Sequence, residues 1–197
     1  IVVYSSDHGD NVGARGLWGK SNMYEESVAV PLLMAHPDLA PGTCATPVSL
    51  VDLAATIPDF FGLEGAPGMV GESLVDIAGR DADPQRAVFS EYHAAGAVTG
   101  AFMIRKGQYK LIHYHGFDDE LFDLESDPEE LVNLAGESGY EAVLEDLRDE
   151  LRAVCDTQEV ERRAHADQRA MVESLGGLEA ARHLGPKGAT PPPAVKG

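Results

Sequence analysis

Long apolar runs are missing from this 197-residue chain: nothing in it approaches the ~20 consecutive apolar residues of a membrane span, so no membrane partner is expected. Positive charge is scarce, with 15 Lys and Arg against 33 Asp and Glu for a net −18, which argues against a protein that grips nucleic-acid phosphates or an anionic membrane. Cysteine is almost absent. Cys44 and Cys155 are too few and too far apart for a zinc spacing or a disulfide framework, and they fit a reducing, cytoplasmic compartment. The start, Ile1-Val2-Val3-Tyr4, lacks an initiator Met and the basic residues of a signal peptide, so the chain is expected to begin inside a longer protein.

What is present is a 44% hydrophobic composition, enough for one ordinary core and a small second lobe. The acidity is uneven. Between Asp118 and Glu150 fourteen carboxylates face a single Arg148, a stretch read most simply as a solvated face. No Asp-x-Asp-x-Asp-Gly loop for calcium occurs within it.

Ile1 to Ser6 reads as a buried strand feeding the polar loop Asp7-His8-Gly9-Asp10, and glycines at 9, 13, 16 and 19 allow the backbone close to a small ligand. Val28 to Ala35, with Pro31, predicts a second, irregular or edge strand. Ser49 with Asp52 predicts a helix start, Leu50, Leu53, Ala54, Ile57 and Phe61 continue at helical spacing, and Pro58 should kink or end the helix. Ala87 to His93, Phe102 to Arg105 and Tyr109 to His115 predict a small antiparallel sheet turning at Lys106-Gly107. Tyr140, Val143, Leu144, Leu147, Leu151 and Val154 follow an amphipathic helical period. A further helix is expected over Thr157 to Ser174, ended by Gly176-Gly177, with a shorter one after it.

Asp7-His8 at a strand end places a carboxylate and an imidazole where strands of an open α/β sheet converge on ligands. The pair can ligate one divalent ion, or the Asp can merely cap a turn. Lys20 alone reads rather as a solvated loop lysine.

The ordered string Ser6-Asp7-His8-Gly9-Asp10, Leu17-Trp18-Gly19-Lys20, Tyr24-Glu25 and Val30-Pro31-Leu32 resembles the sulfatase family of the alkaline-phosphatase superfamily. The similarity continues through Val51-Asp52-Leu53, Ile104-Arg105, Tyr109-Lys110-Leu111-Ile112, Glu120 to Leu124, Asp127-Pro128-Glu129-Glu130 and Asn133-Leu134, or roughly residues 1 to 154. His8, the phrase Gly13 to Trp18 and the long C-terminal extension look most like the branch containing choline sulfatases and phosphonate monoester hydrolases.

That resemblance implies an α/β fold. Residues 1–83 would be the C-terminal part of the catalytic core, a sheet between helices, and 84–155 a small antiparallel sheet with a helix. A helical extension over 156–184 and a flexible Pro-rich tail over 185–197 would follow. It implies metal-dependent hydrolysis of a small anionic sulfuric ester, with Asp7 and His8 as ligands of one divalent cation (Ca, Mn or Mg). Lys20, thirteen residues after Asp7, would hold a sulfate oxygen. It also implies a homo-oligomer, and a formylglycine nucleophile whose hydrate attacks sulfur before the sulfated hemiacetal collapses. Neither cysteine lies in a C-x-P-S-R context, so the nucleophile is expected outside this chain, which alone would be inactive. Phosphate or phosphonate ester hydrolysis and a non-catalytic assembly module remain the alternatives. His93, at a strand end, is the first candidate for a leaving-group acid, with His113 and His115 behind it. His36, His165 and His183 read as surface residues.

Overall fold

The computed structural model describes residues 1–94 and 97–184, and the side chain of residue 184 is outside that description. The tail expected over 185–197 lies outside the described residues. Two units form, Ile1–Thr157 and a second from Gln158 onward whose described part is helical. Among the described residues, no helix is long and apolar enough to cross a membrane.

The fold is mixed α/β. In the first unit β1 (Val2–Ser5) pairs antiparallel with β2 (Leu32–Ala35), Val2 opposite Ala35 and Ser5 opposite Leu32. The strand expected to be buried is covered on one face only: Val3 and Ser5 are half-buried, whereas Val2 and Tyr4 are exposed. Between the strands lie a tight turn at Ala14–Gly16 and the single-turn helix α1 (Glu25–Val28).

Helix α2 (Leu50–Phe60) starts as its sequence predicts. The Ser49 amide donates to Asp52 Oδ2 (2.8 Å) while the Ser49 hydroxyl accepts from the Val51 amide (3.4 Å), so the free amides at the helix start are satisfied locally. Asp52 does more than cap. It is wholly buried, accepts from the Glu72 amide (3.0 Å), and pairs with both terminal nitrogens of Arg86 (2.7 and 3.0 Å). Pro58 sits inside the helix, which ends two residues later, since proline removes one amide donor where the last turn is already closing. Helix α3 (Leu74–Ala78) packs against α2, with Thr56 Oγ1 accepting from the Leu74 amide (2.8 Å).

The second sheet runs in sequence order through β3 (Val88–Tyr92), β4 (Ala101–Lys106), β5 (Tyr109–Tyr114) and β6 (Glu120–Asp123), all antiparallel. Gly107 supplies the left-handed residue (φ +59°) that the two-residue turn between β4 and β5 requires. Helix α4 (Glu141–Val154) packs on β4 and β5, and its Leu144, Leu147 and Leu151 are buried, as are Phe102, Ile104 and Leu111 of those strands. Each fully buried leucine contributes about 1.5–3 kcal/mol. A second cluster, Met23, Ala101, Met103, Ile112 and Phe122, with Tyr24 and Val28 against it, holds the segment before and through α1 onto this sheet.

In the helical unit α5 (Thr157–Ser174) and α6 (Leu178–Leu184) are joined through Gly176 and Gly177, both left-handed (φ +91° and +96°), at the break the sequence predicts.

Two further sequence expectations need correction, and one strand is not individually predicted. The acidic stretch is not simply a solvated face, because Asp119, Asp123 and Glu130 are buried and partnered. Asp119 takes a hydrogen bond from His113 Nδ1 (2.7 Å) and two from Arg148 (2.8 and 2.7 Å). Burial would raise the Asp119 pKa, but His113 and Arg148 outweigh it and hold the carboxyl below its ordinary range. His36 is not a surface residue, since its ring is 14% exposed and stacks on Phe60 at 5.7 Å. Glu120 to Asp123 is a strand, too short at four residues for its period to register in sequence.

Candidate active site

The loop leaving β1 is held by backbone approach. The Gly9 amide donates to Ser27 O (2.8 Å), and a Cβ at Gly9 would stand 2.0 Å from Glu26 O and 3.0 Å from Glu26 C. Only glycine fits there. Gly9→Ala must push the loop off α1, and the expected loss is about 1–3 kcal/mol by denaturant unfolding. A variant as stable as the parent would show that the loop and α1 are not in this contact.

Beyond Gly9 the loop closes on itself. Asp10 Oδ1 accepts from the amides of Val12 (2.9 Å) and Gly19 (3.2 Å), the Asn11 amide donates to Gly19 O (2.8 Å), and the Asn11 side chain donates to Gly19 O and Ser27 Oγ. Lys20 follows directly from that clamp.

Asp7, His8 and Lys20 come together. His8 Nε2 lies 3.4 Å from Asp7 Oδ2 and receives a hydrogen bond from Lys20 Nζ, while His8 Nδ1 faces Gly9 O at 2.7 Å. Gly9 O can only accept and Lys20 Nζ can only donate, so the two neighbours select the tautomer with hydrogen on Nδ1 and the lone pair of Nε2 outward. The Asp7 carboxylate is 83% exposed on its side chain. All three residues line a cavity of about 590 Å³, within the range of small-molecule sites, with Glu25 and Arg105 on its wall 3.6 Å apart.

A carboxylate oxygen and an imidazole lone pair 3.4 Å apart fit adjacent positions around one cation, since two ligands at right angles with bonds of about 2.3 Å stand about 3.3 Å apart. The His8 member of the pair already accepts from one positive group, the Lys20 ammonium. Among the described residues no group of three or more His, Cys, Asp or Glu side chains is set to hold a metal, so further ligands would have to come from elsewhere.

His93 is not with these residues. Val88 to Tyr92 line the cavity, whereas the His93 ring packs edge-on against Phe102 at 5.1 Å, with Nε2 3.7 Å from Glu91 Oε2. His113 is held by Asp119.

A buried ionic group beside the site has no counterpart in the sequence reading. Lys110 Nζ, wholly buried, lies 2.6 Å from Glu130 Oε1 and 2.9 Å from Glu25 Oε1. Glu130 Oε2 accepts from the Glu25 amide (2.7 Å) and lies 3.5 Å from Arg15, which also pairs with Glu26, donates to Glu129 O and stands 4.2 Å over the Tyr24 ring. Burial raises the Glu130 carboxyl above its ordinary value despite Lys110. Burial and the neighbouring Glu120 carboxylate likewise push the Tyr24 hydroxyl up to about 12, so it stays a proton donor to Glu120 (3.0 Å). The only local signal for the group was the string Asp127 to Glu130, which names neither Lys110 nor Arg15 as a partner.

The chain matches, over residues 13–157, the family described as N-sulphoglucosamine sulphohydrolase, C-terminal, and so belongs to the sulfatase family in its C-terminal region. It is 40% identical over 138 residues to a choline-sulfatase of Rhizobium meliloti (strain 1021), covering 68% of this chain and 27% of that protein. The structure of a 2-O GAG sulfatase superposes with a TM-score of 0.67 at 28% identity, covering 86% of this chain and 37% of the other. The phosphonate monoester hydrolase of Agrobacterium radiobacter does so with a TM-score of 0.65 at 26% identity, covering 77% and 34%. The chain spans about a quarter to a little over a third of the length of these relatives.

Proposed function

We propose that this chain is the C-terminal portion of a metal-dependent sulfuric-ester hydrolase whose substrate is a small anionic ester. The observation that carries the reading is the meeting of Asp7, His8 and Lys20 at one cavity wall, in a chain that belongs to the sulfatase family. Asp7 and His8 would hold a divalent cation (Ca, Mn or Mg) which, when bound, supplies positive charge to the sulfate oxygens. Lys20 places an ammonium beside the same oxygens, so charge that develops as the S–O bond breaks meets a fixed positive group and needs little solvent reorganisation. Gly9 O fixes the His8 ring, and the Asn11–Gly19 clamp fixes the start of the lysine. The formylglycine nucleophile and the remaining cation ligands would come from residues outside this sequence. The strong net negative charge need not repel the ester, because the exposed acid of α4 is screened beyond about 10 Å at ordinary ionic strength.

A second reading, phosphonate or phosphate ester hydrolysis, is favoured by the similarity to a phosphonate monoester hydrolase. The two separate on one assay. The complete enzyme should turn over an aryl sulfate with higher kcat/KM than an aryl phosphonate monoester, lose that activity to a chelator and regain it with added divalent ion. Preference for the phosphonate would transfer the assignment to the second reading. No turnover together with no cation uptake would leave a binding or assembly module.

A further inference from the structure

Resting on the sulfatase reading of Lys20, we infer that Arg15 is a positioning residue: it anchors the loop that carries Lys20 to the buried ionic group of the second sheet, and so sets where the lysine ammonium stands.

Arg15 occupies the apex of the loop between Gly9 and Lys20. Its guanidinium reaches three groups on two separate pieces of chain: Glu26 on α1, and the backbone carbonyl of Glu129 with the side chain of Glu130. Its face also covers the Tyr24 ring. Glu130 is in turn fixed by Lys110 on β5 and by the Glu25 amide. The path from β5 to the loop is therefore continuous through charged contacts, two of whose side chains, Lys110 and Glu130, are wholly buried.

From Arg15 the loop transmits position through its own hydrogen bonds. The Gly13 amide donates to Leu17 O (2.8 Å), the Ala14 amide to Asn11 O (2.8 Å) and the Leu17 amide to Ala14 O (2.8 Å), and Asn11 holds Gly19, the residue before Lys20. Lys20 itself is exposed, and its ammonium meets His8, so the start of its stem is placed by the loop. Its position is inherited from the loop.

The backbone supports this. Only three non-glycine residues among those described have left-handed φ: Val12 (+46°), Arg15 (+51°) and Glu130 (+52°). Two belong to the loop and the third is the Arg15 partner. Such conformations persist only where surrounding contacts over-determine them, and they gather where geometry serves a site. For a β-branched residue such as Val12 the conformation is rarer still.

The test is a double-mutant cycle in the complete enzyme with four forms: parent, Arg15→Met, Lys20→Ala and the double variant. Arg15→Met is expected to lower kcat/KM for an aryl sulfate on the order of ten- to a hundredfold, the scale of a misplaced catalytic group. In the Lys20→Ala background the same replacement should change the rate by less than about twofold, because its effect runs through the lysine. An equal factor in both backgrounds, or none in either, overturns the inference while leaving the role of Lys20 intact. If Lys20→Ala alone leaves the rate unchanged, the lysine reading fails and the inference falls with it. Should Arg15→Met not fold, Arg15→Lys, which keeps the charge and stem but loses the planar fork, goes through the same cycle with the same outcomes.

Discussion

Replacing Lys110 with methionine is expected to destabilise the protein by about 3–5 kcal/mol, the cost of stranding a buried charge whose partner is removed. Methionine matches the stem in length, so the loss measures charge rather than a cavity. Glu130, with a wholly buried side chain, would keep only the Glu25 amide at 2.7 Å and Arg15 at 3.5 Å, while Glu25 would lose its contact at 2.9 Å. For a chain of this size each kcal/mol shifts the melting temperature by roughly 2–4 °C, so the change is easily read by calorimetry.

The pH dependence of that deficit has a definite sign. Burial already raises the Glu130 pKa in the parent, and loss of Lys110 raises it further. A folded-state pKa above the unfolded one contributes stability that is fully present at acid pH and lost as pH rises through the folded value. The deficit of Lys110→Met should therefore be largest at neutral pH and shrink on acidification, as Glu130 takes up a proton. Lys110→Met combined with Glu130→Gln should lose less than the sum of the two single changes. A single variant within about 0.5 kcal/mol of the parent at neutral pH would show that these groups are not buried together.

That ionic group marks where the sequence stops being readable. The capping pair Ser49 and Asp52, the turn at Gly107, the apolar stripe of α4 and the break at Gly176-Gly177 are each settled within a few residues, so period and turn chemistry expose them. Burial of Glu130 depends on Lys110 and Arg15, twenty and more than a hundred positions away, and one sequence holds no signal that such charges will meet. The same limit made the acidic stretch look uniformly solvated when Asp119 and Glu130 are interior, and hid the stacking of His36 on Phe60.

The candidate site is legible through the family resemblance, and that its residues can meet has the opposite reason. Asp7, His8 and Lys20 fall within fourteen consecutive residues, so one loop brings them together without long-range pairing. His93 shows the weakness of position along a strand as a guide. It follows β3, whose residues line the cavity, yet it lies one residue past the strand end and its ring packs against Phe102. Arg105 and Glu25, which do line the cavity, entered the sequence reading only within strings that resemble the family.

The role of Lys20 is the central claim, and its side chain is well placed for a clean test. It is exposed and, among the described residues, its ammonium hydrogen-bonds only His8, so Lys20→Ala should leave stability within about 0.5 kcal/mol of the parent. Removing one preorganised positive donor from a site where charge develops is expected to lower kcat on the order of 100-fold, near 2.7 kcal/mol of transition-state stabilisation. Lys20→Arg should recover part of the rate, since the charge returns on a longer and broader head. The deciding measurement is steady-state turnover of an aryl sulfate by the complete enzyme and its Lys20→Ala variant. A fall of that order in kcat with an unchanged melting temperature is the result predicted, and equal kcat and kcat/KM for the two enzymes would contradict it.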